Sequence, residues 1–125
     1  AVQYLEQKVK DLENNFDDQK FDMIIIDPPS FCKSHHGEQV FNAKRLYEKL
    51  VRNSCKILNK NSILFITANS PFLSKEDLID SVRRGISCAK RVGVVVNEDG
   101  ADADFPVHLA LPDSCFLKTV TVWVD

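Results

Sequence analysis

Apolar residues at Val2, Leu5, Val9, Leu12 and Phe16 alternate in spacings of three and four, the period of an amphipathic helix. The chain enters this helix almost at once and without a cap, which leads us to expect further chain upstream in the intact protein. Phe21-Asp22-Met23-Ile24-Ile25-Ile26-Asp27 follows, and its unbroken apolar run predicts a strand buried on both faces, as in a parallel sheet. Pro28-Pro29 stops that strand. After a polar loop from Ser30 to Gly37, residues from about Glu38 to Asn59 read as a long helix with Ala43, Leu46, Leu50, Ile57 and Leu58 near one face. Asn61 stands where a helix C-cap favours Gly or Asn.

Ser62-Ile63-Leu64-Phe65-Ile66-Thr67-Ala68 predicts a second buried strand, ended by Pro71. Ser74-Lys75-Glu76-Asp77 resembles a capping box and opens a helix through Leu78, Ile79, Val82, Ile86 and Ala89. Arg91 to Val96 predicts a third strand. Residues 97–114 show no period and contain two prolines, Pro106 and Pro112, a long loop of the kind that is either functional or mobile. Cys115 to Val124, rich in Val and Thr, predicts a last strand. The alternation implies an α/β fold with right-handed βαβ crossovers and a mostly parallel sheet, closed by a final antiparallel strand.

Composition narrows the class without naming a function. A chain of 125 residues is one domain's worth, and 44% apolar with 27% charged residues is ordinary for a soluble globular protein. No apolar run approaches the roughly 18 residues of a membrane span, and the N-terminus carries no signal pattern. We therefore expect no membrane association and a cytoplasmic or organelle-matrix setting. Cys32, Cys55, Cys88 and Cys115 form no CxxC pair and the three histidines complete no zinc spacing, so no metal is expected. Cys55 and Cys88 lie in helical patterns, where a free Cys packs as a small core residue. The net charge of −2, with acids and bases mixed, means that a basic patch for nucleic acid would have to be local or lie on another domain.

In open α/β sheets ligands bind beyond the carboxyl ends of the strands, and two such ends are chemically unusual here. Asp27-Pro28-Pro29-Ser30-Phe31 combines a carboxylate, carbonyls freed by a proline pair and an aromatic ring, which suits an amino-bearing planar substrate. A strand terminator whose Asp caps the next turn is an equal alternative from these residues alone. The second end is Thr67-Ala68-Asn69-Ser70-Pro71, where Asn69 is either a substrate-orienting amide or a turn residue before Pro71. His35-His36 reads as a solvated pair, and Cys32 as an inert thiol sooner than a nucleophile. The four glycines, Gly37, Gly85, Gly93 and Gly100, form no GxGxxG turn, so a cofactor-binding first loop is absent.

The run from Phe21 to Phe31 resembles the fourth-strand motif of S-adenosylmethionine-dependent methyltransferases related to the bacterial enzyme that methylates a cytosine C5 in large-subunit ribosomal RNA. Arg45 and Tyr47 are similar to that family's Arg-x-Tyr. Ala103-Asp104-Phe105-Pro106-Val107 resembles its Ala-Asp-His-Pro-Val. Leu111-Pro112-Asp113 through Phe116-Leu117-Lys118 looks like its closing Pro-Glu and Tyr-Leu-Lys. The matches run in order from residue 21 to 124. The chain departs from the family at Phe105, at Val51 in place of a helical Asn, and at Ala68-Asn69-Ser70, where the cytosine-C5 enzymes carry Ser-Cys-Ser.

The resemblance implies the C-terminal half of a Rossmann-like class I methyltransferase domain. S-adenosyl-L-methionine would be its cofactor and RNA its partner, with the glycine motif and any RNA-binding domain upstream. It places Asp27, Pro28 and Pro29 at the catalytic position, with Asp27 and Pro28 bordering the cofactor. Ser30, Phe31, Asn69, Ser70 and Lys118 would line the substrate mouth. Without the family cysteine, which attacks C6 to activate C5, cytosine-C5 chemistry lacks its nucleophile. The alternative is a degenerate methyltransferase fold kept for binding or assembly. A third reading, an α/β enzyme whose Asp27 binds metal or activates water, lacks a second acidic or His partner.

Overall fold

The chain alternates helix and strand through the residues described by the computed structural model, 2–14, 19–29, 36–101, 109–110 and 115–125. The elements are α1 (Val2–Glu13), β1 (Phe21–Ile26), α2 (His36–Ile57), β2 (Leu58–Asn69), α3 (Lys75–Cys88), β3 (Gly93–Asp99) and β4 (Leu117–Val124). The strands form one sheet in the order β1-β2-β4-β3. β1 pairs in parallel with β2, Ile24 against Leu64 and Ile26 against Ile66. β4 is antiparallel to β2, with Ile66 against Val120, and antiparallel to β3, with Val94 against Trp123. The α/β fold and the opposed last strand are as expected. β4 is inserted between β2 and β3 instead of closing an edge. Three strands therefore share a direction while two of the three ladders are antiparallel.

α2 and α3 cover one face of this sheet. Leu64, Ile66 and Ala68 of β2 and Val120, Val122 and Val124 of β4 alternate inward, the period of a strand with one buried face. They meet Ala43, Tyr47, Leu50, Val51 and Cys55 of α2 and Leu78, Val82 and Ile86 of α3. Ser74 caps α3 as its sequence predicted, its Oγ accepting the Asp77 N–H at 3.0 Å. The two helices approach closely at Gly85. A Cβ there would lie 2.7 Å from Val51 Cβ and 2.8 Å from the Glu48 carbonyl oxygen.

Four expectations change. β1 is not buried on both faces: Ile26 is inside, but Met23 and Ile25 are 52% and 63% exposed, because no described element covers that face and β1 is an edge strand. Cys88 is exposed at the end of α3, whereas Cys55 is fully buried. Asn61 does adopt the left-handed conformation, φ 57°, but within β2 and not as a helix cap. It serves an irregularity: Phe21 pairs with Leu58 while Met23 already pairs with Ile63, so β2 bulges. The third strand begins at Gly93 and extends to Asp99, into the segment expected to be loop.

The end of α2 is instead capped from outside. The Arg91 guanidinium donates from Nη1 to the carbonyls of Cys55 (2.7 Å) and Leu58 (3.1 Å), and from Nη2 to Asn59 O (2.7 Å). Its Nε donates to Asp125 O at 2.5 Å. One cation thus satisfies carbonyls left over at a helix C-terminus and ties them to the end of β4.

Two outcomes follow from this packing. Gly85→Ala should lose about 1–3 kcal/mol in urea unfolding, because the Glu48 backbone cannot yield without parting the helices; an unchanged midpoint would refute the close crossing. Burial lifts the Cys55 thiol from 9.0 to about 11, with the Arg91 charge pulling weakly the other way. The unfolded thiol ionises first, so this stabilising contribution is complete below about pH 9 and disappears as pH rises towards about 11. Wild-type stability should fall more steeply across that window than that of Cys55→Ala, and parallel curves would exclude the thiol as the cause.

Candidate active site

Parallel pairing of β1 and β2 brings their carboxyl ends to one edge of the sheet, and antiparallel β4 begins at that same edge. Asp27 directly follows the last residue of β1. Its Oδ1 accepts a hydrogen bond of 2.5 Å from Thr67 Oγ1 on β2. The carbonyl of Thr67 in turn accepts from the Tyr47 phenol of α2 at 2.8 Å. Burial, and then the nearby Asp27 carboxylate, push the Tyr47 hydroxyl well above its ordinary pKa, so it remains a donor. A helix, two strands and a carboxylate are held together by Thr67. Asp27 itself stays exposed, and its Oδ2 has no partner among the described residues.

Pro28 is half-buried and Pro29 exposed beside it. Asn69 is the exposed last residue of β2, opposite Leu117, and Ser70 follows. The Ser70 Oγ accepts the Phe72 N–H at 3.2 Å, which folds the chain into the turn containing Pro71. Lys118 lies opposite Ala68, and its Nζ donates to Ser70 O and to Phe116 O, each at 2.7 Å. Burial draws this ammonium below the ordinary lysine pKa, opposed by the Cys115 thiol. Lys118 therefore staples the start of β4 to the end of β2, with two of its three N–H donors used inside the protein.

Of the residues singled out in sequence, Asp27, Pro28, Pro29, Asn69, Ser70 and Lys118 share this edge. Ser30, Phe31, Cys32 and His35 lie outside the described residues, as does the resembling segment Ala103 to Val107; the side chain of His36 is likewise outside them. Thr67 opened the second strand end singled out in sequence but was given no role there. Its signal is positional, since one step past the Ile26–Ile66 pair sets Thr67 beside Asp27. Among the described residues no group of three His, Cys, Asp or Glu side chains could hold a metal ion, and no helix is long and apolar enough to cross a membrane.

Beside the same edge an apolar cleft of about 510 Å³ runs along the open side of β1 from Phe21 to Pro29. Leu50, Ser54 and Ile57 of α2 and Tyr4 of α1 complete it. Ser54 Oγ is buried there without a hydrogen-bond partner in the described structure, a second feature the sequence did not signal. Removing the hydroxyl that orients Asp27, in Thr67→Val, should cost about 1 kcal/mol in urea unfolding, and Thr67→Ser should restore most of it. Equal stability of wild type and Thr67→Val would exclude an energetically significant bond.

No family model matches the chain. Over 118 residues, 90% of its length, it is 25% identical to YwbD of Bacillus subtilis, a candidate ribosomal RNA large subunit methyltransferase. Over 61 residues, 49% of its length, it is 36% identical to the ribosomal RNA large subunit methyltransferase K/L of Cellvibrio japonicus. The matched parts are 29% of YwbD and 8% of the K/L protein. The crystal structure of SMU.776, a candidate methyltransferase complexed with SAH, superposes on 94% of this chain and 29% of its own with a TM-score of 0.71 and 25% identity. The chain thus shares the fold of a candidate methyltransferase and is similar, over most of its length, to a candidate ribosomal RNA methyltransferase.

Proposed function

We propose that this chain is the acceptor-side, C-terminal part of an S-adenosylmethionine-dependent methyltransferase domain that acts on RNA. The observation that carries the reading is Asp27-Pro28-Pro29 at the carboxyl end of a strand paired in parallel with β2, in a fold shared with a methyltransferase structure. Asp27 offers an oriented carboxylate whose Oδ2 can accept an N–H from a planar amino-bearing base. The prolines supply carbonyls not committed to a ladder. Ser30 and Phe31 would continue that rim, and Asn69 would face it from β2. A base within a duplex would have to be flipped out to reach it.

The residues of this chain do not suffice to hold the cofactor. Gly37 and Gly85 lie within helices, Gly93 opens β3 and Gly100 follows it, so no glycine turn joins a strand to a helix. S-adenosylmethionine supplies the methyl group when bound, and Asp27 and Pro28 would border it. The grip would come from chain packed along the cleft beside β1. The exposed Met23 and Ile25 on that edge strand, and the unpartnered Ser54 hydroxyl, support such a covering segment.

Cytosine C5 is the least supported acceptor. A thiolate must attack that base, and Ala68-Asn69-Ser70 puts none at the end of β2. An exocyclic amine or other heteroatom needs alignment and a hydrogen-bond acceptor, which the Asp27 rim provides. Calorimetric titration of S-adenosylhomocysteine into the longest native chain containing these residues should show binding, and the 125-residue chain alone should show neither binding nor methyl transfer. Robust turnover by the short chain would overturn the fragment reading. A folded long chain that binds nothing would favour a degenerate fold kept for assembly.

A further inference from the structure

The outer side of the helical layer carries a groove of about 690 Å³ between α2 and α3. Lys44, Arg45, Lys49 and Arg52 line it from α2 and Arg84 from α3, with Glu48 and Asp80 in the lining and Asp77 and Glu6 paired to its lysines from beside it. In a chain whose net charge is −2, five cations against these four carboxylates are a small local excess of positive charge, which exchange of the exposed pairs would enlarge. The close crossing at Gly85 is what lets cations from both helices converge. We propose that this groove binds the phosphate backbone of the RNA that presents its base to the Asp27 rim. The partner's class rests on the methyltransferase reading.

Three features favour a repeating anion. Lys44, Glu48 and Arg52 stand four residues apart on one face of α2, so the cations extend over roughly 12 Å, a row and not a point. The neighbouring carboxylates are exchangeable partners. Lys44 meets Asp77 at 2.6 Å, Lys49 meets Glu6 at 2.6 Å and Arg84 meets Asp80 at 2.8 Å, each pair substantially exposed. Such pairs contribute little, so phosphates can take over the cations at small cost. The groove is also tied to the site. Tyr47, one turn along α2 from Lys44, donates to the Thr67 carbonyl beside Asp27, so the helix that carries most of the groove's cations also reaches the active edge.

The test is fluorescence anisotropy of a labelled RNA stem-loop with the longest native chain containing these residues, over a potassium chloride series. Arg52→Gln/Arg84→Gln should weaken binding about tenfold or more. It should also flatten the dependence of log affinity on log salt by about 1.5, corresponding to two lost phosphate contacts. Arg52→Lys/Arg84→Lys should recover most of the affinity, and Lys20→Gln/Lys60→Gln, an equal charge change at exposed positions outside the groove, should alter little. Unchanged RNA affinity and salt slope in the folded double variant would overturn the proposal, as would absence of RNA binding by the wild type. Displacement of RNA by polyglutamate at equal charge concentration would also overturn it, in favour of an acidic protein partner. S-adenosylhomocysteine titrated in parallel separates the two readings: cofactor binding without groove-dependent RNA binding sinks only the groove, whereas absent cofactor binding sinks the methyltransferase assignment.

Discussion

A strand with a parallel neighbour on one side and an antiparallel neighbour on the other gathers two chain exits and one chain start at a single edge. β2 is that strand. Ile26 against Ile66 brings Asp27 beside Thr67, and Ala68 against Lys118 brings the ammonium beneath the Ser70 carbonyl. The period of two makes these registers strict. A slip by one residue would turn Leu64, Ile66 and Ala68 out of the core and take the Thr67 hydroxyl away from Asp27. The core and the candidate site are therefore specified by the same ladder.

The opposite edge is organised by one cation. Arg91 gathers the last carbonyls of α2, the bulged start of β2 and the end of β4, so the layer of helices is fixed to the sheet at the end remote from Asp27. At the near end the fixing contacts are Tyr47 to Thr67 and Lys118 to Ser70, both directed at backbone carbonyls. Polar side chains thus serve mainly as fasteners. Asp27 is the exception, since among the described residues it is held on one oxygen only.

Much of this was legible in the residues. Helix periods, the Ser74 cap and the strands around Ile24 and Leu64 are local signals, set by spacing and side-chain shape. Asp27 stood out because a carboxylate followed by two prolines sits at the carboxyl end of a strand, although those residues alone allowed a strand terminator equally. What escaped was non-local. An apolar run such as Met23 to Ile26 shows that a strand can be covered on two faces, and only the assembled sheet shows that one of them is open. Thr67 and the basic groove escaped for the same reason: each depends on which residues of two distant elements face one another. Asn61 illustrates a mixed case, where the residue announced a left-handed turn but not the element that would use it.

The insertion of β4 between β2 and β3 also sets an order of events during synthesis. β3 has no hydrogen-bonded strand neighbour other than β4 among the described residues, and the ladder joining β2 to β4 spans from Asn69–Leu117 to Ser62–Val124. The helix pair and the β1–β2 ladder can assemble as the chain emerges, since their contacts are closer in sequence. β3, made well before β4, must wait with its backbone N–H and C=O groups unpaired until the last strand arrives to bridge it to the rest. Translation past Val124, and not the completion of the helical layer, is then the step that commits the sheet.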